Sequence, residues 1–167
     1  MRSRPLLFLC LLSVAGLAGG ASAQPARTAE AVDDDREKAL ILAVLNGETR
    51  AALGRDYLAW RDHWVHEPYV TKTYINLADG TSSETLGWDR VDEFVRTYLD
   101  AHPEPETPPR PLEDADVRLY GDGAWVSYEQ EDADQGRKRE SRLMEKVGGA
   151  WRIAGMHTTI YGPDGAE

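Results

Sequence analysis

Cysteine is nearly absent from this chain of 167 residues, in which Cys10 is the only one. Cys10 lies inside an N-terminal apolar segment that we predict to be removed. The mature chain would then contain no cysteine, which excludes disulfide bonds, thiolate metal sites and a cysteine nucleophile. We therefore expect the fold to be held together by its hydrophobic core alone.

Positive charge is also scarce, with 19 Lys and Arg residues against 29 Asp and Glu residues and a formal net charge of −10. Binding to phosphate groups requires a basic surface, because the protein must neutralise the charge of the phosphates. Nucleic acid and anionic membrane surfaces are therefore poor partners for this chain.

The apolar stretch near the N-terminus is shorter than the about 20 residues of a membrane-spanning helix, and glycines interrupt its end. Its other features are those of a cleavable secretory signal peptide over residues 1–23. Arg2 and Arg4 provide the positive start, and Ala21-Ser22-Ala23 provides a small-residue cleavage site. We therefore expect export to the periplasm or the medium, with cleavage just before Gln24 and no membrane attachment afterwards.

The sequence after the signal peptide predicts three helices in its first two thirds. Residues 24–32 are small and polar and are interpreted as a flexible linker. Asp33-Asp34-Asp35 then supplies the N-cap and the first-turn negative charge of a first helix, whose apolar stripe continues to Leu53. Periodic apolar residues predict a second helix over about 56–65 and a third over about 88–101.

Strands are predicted between the second and third helices and throughout the last third of the chain. The β-branched and aromatic segment 69–77 predicts one strand, which a polar loop at 78–84 follows. Turn residues then divide a meander into strands over 115–120, 124–132, 137–147 and 150–161. Because the helices are segregated from an antiparallel sheet, the predicted fold class is α+β, in one domain over 33–161 with a tail at 162–167.

Several local motifs within this domain form a pattern that is similar to a known superfamily. They are Arg142-Leu143-Met144-Glu145-Lys146, the turn Gly148-Gly149, then Trp151-Arg152-Ile153 and His157, together with the helix leading to Trp64, the following Pro68 and Tyr69, and Gly87-Trp88-Asp89. The chain resembles the nuclear transport factor 2-like superfamily, which includes SnoaL-like polyketide cyclases and ketosteroid isomerase. The resemblance implies a cone-shaped α+β roll, in which three helices pack on a strongly curved antiparallel sheet around a pocket. It also implies a homodimer, but no particular reaction, because this fold hosts many activities.

This chain departs from the pattern of catalytic residues in ketosteroid isomerase-like enzymes. Such enzymes have a carboxylate base on the first strand and an oxyanion hole that includes a protonated carboxylic acid. The segment where the base would fall, Tyr69 to Tyr74, contains no carboxylate. Glu140 is a candidate for the acid, although Arg142 is better placed on the same strand. The isomerase mechanism is therefore not supported.

A pocket for a small, partly apolar ligand would need apolar walls and a few polar groups. The candidate pocket residues are Trp60, Trp64, His66, Tyr69, Tyr74, Tyr128, Glu129, Arg142 and His157. Arg142 and Glu129 either provide polar groups inside the pocket or form a cross-strand ion pair on the exposed face. His157 is either a general acid or base at the pocket mouth or a polar residue that is hydrogen-bonded on the last strand.

A metal site is the weaker interpretation of the histidines. His63, His66 and Glu67 cluster at the end of the second helix and could join His157 as ligands. No metal-binding signature is present, however, so we expect neither a metal nor a cofactor. Three functions are open at this point: non-catalytic binding of a small molecule, a cyclase, isomerase or dehydratase that uses His157, and a dimeric interaction module.

Overall fold

The structure is a computed structural model that describes residues 25–132 and 135–162, with side chains described for 33–131 and 135–162. The predicted signal peptide lies outside the described residues, as does the predicted tail apart from Gly162. The elements of the described chain are α1 (Pro25–Leu53), α2 (Tyr57–Asp62), β1 (Thr71–Asn76), β2 (Thr81–Leu86), α3 (Trp88–Ala101), β3 (Asp116–Tyr120), β4 (Gly123–Asp132), β5 (Gly136–Val147) and β6 (Ala150–Gly162).

Helix α1 begins earlier than the sequence predicted, at Pro25 rather than at Asp33. It therefore includes most of the segment that was interpreted as a flexible linker. Proline is favoured in the first turn of a helix, because the N–H that it lacks would have no helical partner there. Alanine, which recurs in this segment, has the highest helix propensity of all residues. The acidic triplet at 33–35 accordingly lies within the helix and does not cap it.

The other two helices lie where the sequence predicted them. The side chain of Asp56 caps α2 by accepting a hydrogen bond from the backbone N–H of Ala59 at 3.0 Å. Helix α2 ends at Asp62, a few residues before the predicted end. Helix α3 has the predicted bounds, and Gly87 precedes it with a φ of 86°, a conformation that favours glycine. None of the helices described is long and apolar enough to cross a membrane.

The strands of the described chain form one six-stranded sheet in the order β2-β1-β6-β5-β4-β3. The predicted meander is confirmed as β3 to β6, but strand β2 was missed and had been assigned to a polar loop. Strand β2 pairs with β1 from Thr71 opposite Leu86 to Asn76 opposite Thr81. It lies at the edge of the sheet and is mostly exposed, so its sequence has no buried apolar face that could reveal a strand.

The sheet is antiparallel except where β1 runs parallel to β6, from Thr71 beside Gly155 to Asn76 beside Ile160. The predicted antiparallel arrangement therefore needs this one correction. Residues 77–149 separate the two strands, and such a long connection can return the chain in either direction. No alternation pattern in the sequence distinguishes the two directions.

The helices cover one face of the sheet, and the main core lies between the helices and that face. Its buried side chains include Ile41, Leu45, Trp60, Trp64, Val91, Val95, Val126, Met144 and Ile153. The sheet is not closed into a barrel, because β2 and β3 remain as edges. The architecture is the cone-shaped α+β roll that the resemblance implied, and the inner face of the sheet positions the candidate site.

Candidate functional site

A cavity of about 530 Å³ lies between the inner face of the sheet, α1 and α3. Its apolar and aromatic lining comes from Ala52, Leu53, Trp60, Tyr74, Phe94, Val95, Tyr98, Leu99 and Met156. Its polar lining includes Lys72, Glu140 and Thr158 from three adjacent strands. A neighbouring cleft of about 760 Å³ shares part of this lining, including Tyr74 and Glu140, and opens towards residues 106–113.

Alternation along β6 decides which of its side chains reach the cavity. Met156 and Thr158 are buried and line it, whereas His157 between them is exposed. His157 Nε2 lies 3.4 Å from Oγ1 of Thr159, on the same outer face. The structure therefore places His157 outside this cavity, and its position agrees with the second interpretation, a polar residue on the last strand. Neighbouring residues of a strand point to opposite faces of the sheet. The helices cover the face that Met156 and Thr158 share, so His157 points to the uncovered face.

A network of buried charged and polar groups extends from the cavity wall into the core. Arg142 and Glu140 lie on the same face of β5 and form an ion pair, with side-chain exposures of 4% and 8%. Tyr128 Oη, from β4, donates to Glu140 Oε2 at 3.2 Å and accepts from Arg142 Nε at 3.3 Å. The polar partner of Arg142 is thus Glu140 and not Glu129, which is exposed on the opposite face of β4.

The protonation states of this network follow from its burial and charges. Burial by itself lowers the pKa of Arg142, but the adjacent Glu140 carboxylate opposes this effect and the pKa ends above its ordinary value. Burial also raises the pKa of Tyr128 above its ordinary value, so the phenol keeps its proton. Arg142 therefore remains a cation and Tyr128 a neutral hydrogen-bond donor over the physiological pH range.

Glu48 is a second buried carboxylate, which the sequence analysis missed. It lies on α1 with 5% exposure and accepts hydrogen bonds from Trp60 Nε1 at 2.8 Å and Trp64 Nε1 at 3.3 Å. Its position could have been inferred, because it follows Ile41 and Leu45 at helical spacing on the buried stripe. A carboxylate on such a stripe needs buried donors, and the two indole N–H groups supply them.

Lys72 is a buried cation on β1 that the sequence analysis also missed. It is 7% exposed and lines the cavity. Its Nζ donates to Met156 Sδ at 3.0 Å and lies 5.6 Å and 5.2 Å from the ring centroids of Trp64 and Tyr74. These distances are typical of cation–π contacts. Lys72 and Tyr74 are two residues apart on β1, so the alternation of side chains along a strand places both on the inner face of the sheet.

The predicted pocket residues therefore divide into three groups. Trp60 and Tyr74 line the cavity, and Trp64, Tyr128 and Arg142 are buried beside it. His66, Tyr69, Glu129 and His157 are exposed and lie away from this cavity. His66 stacks on Trp88 with 4.1 Å between ring centroids, and Tyr69 Oη donates to Glu145 Oε2 at 2.7 Å. Glu129 lies on the neighbouring cleft.

The histidines that were considered as metal ligands do not converge. His63 packs against α1 at Gly47, where a Cβ atom would lie 2.7 Å from His63 Nε2. Burial lowers the pKa of His63 below its ordinary value, so the ring favours its neutral form. Within residues 33–131 and 135–162, no three His, Cys, Asp or Glu side chains come together as a set that could hold a metal ion.

Comparison with known proteins identifies the fold. The amino-acid sequence matches no model of a known protein family and no curated protein. A cystatin-like fold protein from Burkholderia xenovorans is similar, at 21% identity over 74% of this chain and 91% of its own, with a TM-score of 0.57. A protein of unknown function from Silicibacter pomeroyi, named as nuclear transport factor 2-like, shares 19% identity over 76% and 98%, with a TM-score of 0.55.

A third solved structure is a proposed dehydratase of the nuclear transport factor 2-like family from Streptomyces avermitilis. It shares 14% identity over 76% of this chain and 97% of its own, with a TM-score of 0.57. The chain therefore has a nuclear transport factor 2-like fold, also described as cystatin-like, as the resemblance of its motifs predicted. At these identities the likeness concerns the fold, which hosts many unrelated activities.

Proposed function

We propose that this protein binds a small, partly apolar molecule in the cavity between the sheet, α1 and α3. The observation that carries the proposal is the composition of the cavity wall. Apolar and aromatic side chains such as Trp60, Phe94 and Leu99 share the wall with charged and polar side chains. The volume of about 530 Å³ falls within the range of about 300–1,000 Å³ that is typical of small-molecule sites.

Binding agrees better with the cavity chemistry than catalysis does. His157, which was the candidate acid or base, faces away from the cavity. The carboxylates of Glu140 and Glu106 in the cavity lining are each held in an ion pair with an arginine. Glu106 is 53% exposed, whereas the pair of Glu140 and Arg142 is buried. A buried pair is suited to shaping and orienting a bound molecule, because its side chains are already immobilised.

Saturable binding of the neutral fluorescent dye N-phenyl-1-naphthylamine would test this function. Ala52 lines the cavity from α1, and Ala43 is exposed on the same helix. We expect dye binding to be lost in Ala52→Trp, whose side chain would fill the cavity, and retained in Ala43→Trp. Equal binding by both variants, with far-UV circular dichroism showing folded protein, would rule out this cavity as the dye site.

We also propose that the outer face of the sheet joins two copies of the chain. Trp125 on β4 and Leu143 on β5 are Cα partners in the pairing of these strands. They are 44% and 42% exposed on the face opposite the cavity. Large apolar side chains that are exposed side by side are typical of protein interfaces. A second copy places the same pair opposite itself, which is the arrangement of a twofold dimer.

A further inference from the structure

Lys72 is a buried ammonium group that forms no ion pair with any carboxylate in the described part of the chain. Its contacts there are the thioether of Met156 and the rings of Trp64 and Tyr74. Burying a cation is costly unless a partner of opposite charge replaces the lost water. A thioether is only a weak acceptor, so the ammonium group retains donors for a stronger one.

Thr158 provides a second buried donor on the same wall of the cavity. It is 2% exposed, and its Oγ1 has no hydrogen-bond partner among the described residues. Thr158 lies beside Tyr74, and Met156 lies beside Lys72, in the pairing of β6 with β1. Lys72 and Thr158 are therefore on the inner faces of adjacent strands, offset by two residues, and both line the cavity.

The acidic groups on this side of the cavity are already engaged. Glu140 is paired with Arg142 and accepts a hydrogen bond from Tyr128. Glu48 accepts hydrogen bonds from the indole groups of two tryptophans. Because these carboxylates are engaged elsewhere, an anionic partner for Lys72 would be a molecule bound in the cavity. Because Arg142 balances the charge of Glu140, the single positive charge of Lys72 matches a ligand with one negative charge.

We infer that the ligand is a small amphipathic acid with a single carboxylate. This inference rests on the proposed binding function. The carboxylate accepts hydrogen bonds from Lys72 Nζ and Thr158 Oγ1, which supply a charged and a neutral donor. The apolar part of the ligand packs against Phe94, Val95 and Leu99 on α3, which line the same cavity.

Three probes with the same apolar chain and different head groups test the inference: octanoate, 1-octanol and octylamine. Their affinities are measured by isothermal titration calorimetry with the whole mature chain. We expect octanoate to bind at least about tenfold more tightly than 1-octanol, because a hydrogen bond to a charged group typically contributes that much. Octylamine should bind most weakly, since Lys72 repels its ammonium group.

Variants assign the effect to the two donors. Lys72→Met, which removes the charge and shortens the side chain by one atom, should lower octanoate affinity about tenfold or more and leave 1-octanol affinity unchanged or higher. Thr158→Val, which keeps the shape, should lower octanoate affinity by a smaller factor. The matched control is Lys38→Met on α1, outside the cavity lining, which should bind all three probes as the wild type does.

The outcomes separate this inference from the proposed function. Equal affinities for octanoate and 1-octanol, tighter binding of octylamine, or an unchanged octanoate affinity in folded Lys72→Met would overturn the carboxylate site while leaving the cavity as a binding site. No saturable binding of any probe, together with no binding of the neutral dye, would overturn both. If Lys72→Met does not fold, the affinities of the three probes for the wild type and for Thr158→Val still test the carboxylate site.

Discussion

Arg142 and Glu140 form an ion pair on the inner face of β5 in which neither side chain is more than 8% exposed. Both residues face the helices, since they are separated by one residue in a strand. Tyr128 from β4 contacts both of them. This pair joins the cavity wall to the core, and it makes the stability of the fold sensitive to single charge changes.

Removing one partner of this pair should destabilise the protein strongly. We expect Arg142→Met or Glu140→Leu each to lower the free energy of unfolding by about 3–5 kcal/mol, because the remaining charge stays buried without its partner. The double variant should lose less than either single variant, since it buries no unmatched charge. Urea unfolding followed by tryptophan fluorescence measures all three. Additive losses in the double variant would contradict this account.

Adjacent residues of β6 should respond oppositely to the same substitution. Thr158 lines the cavity, and His157 is exposed on the outer face. We expect Thr158→Phe to weaken binding of N-phenyl-1-naphthylamine at least about tenfold, because the added ring occupies the space of the ligand. His157→Phe should bind the dye as the wild type does. The reverse result would mean that the inner and outer faces of β6 are exchanged.

His63 should make stability depend on pH near neutrality. Burial lowers its pKa in the folded state below the ordinary value of about 6.5, and nearby Glu48 opposes this only in part. The unfolded chain then binds more protons, so the free energy of unfolding should fall as the pH falls from about 7.5 to 5.5. In His63→Gln this decrease should be smaller, whereas the control His157→Asn should keep it. Parallel profiles for wild type and His63→Gln would exclude His63 as the cause.

The dimer proposal predicts a change of mass on alteration of the outer sheet face. We expect Trp125→Glu to convert a dimer into a monomer, since a charge in an apolar interface would lose its water. Multi-angle light scattering after size exclusion measures the mass directly. Leu58→Glu, which changes an exposed apolar residue of α2 in the same way, serves as control and should remain dimeric. A wild-type protein that is monomeric at all concentrations would remove the proposal.

Export predicts a defined mature N-terminus. We expect the full chain to be cleaved between Ala23 and Gln24 when it is produced in a bacterium with a secretory system. Intact-mass measurement of the exported protein would show this. Because cleavage removes Cys10, a reducing agent should leave the melting temperature of the mature protein unchanged. An intact precursor that stays with the membrane fraction would contradict the prediction.

The sequence was most informative where an element has one buried and one exposed face. The bounds of α3 and the strands of the β3–β6 meander were predicted closely, because their apolar periodicity is set by burial. Strand β2 has little buried surface and therefore left no pattern. The parallel pairing of β1 with β6 also left no pattern in the sequence, since it depends on how the long connection between the two strands packs.

The sequence by itself determined the fold class, the order of most elements and the number of aromatic residues available to the cavity. The resemblance of its motifs implied the nuclear transport factor 2-like architecture. Only the tertiary structure decided which face of each strand meets the helices, and hence that Lys72 and Thr158 line the cavity while His157 does not. The pairing of β5 with β6 shifts register between Leu143 and Met144, so alternation cannot be followed through that point from the sequence alone. Whether a polar side chain is exposed or buried with a partner depends on residues far apart in the chain, which meet only after folding.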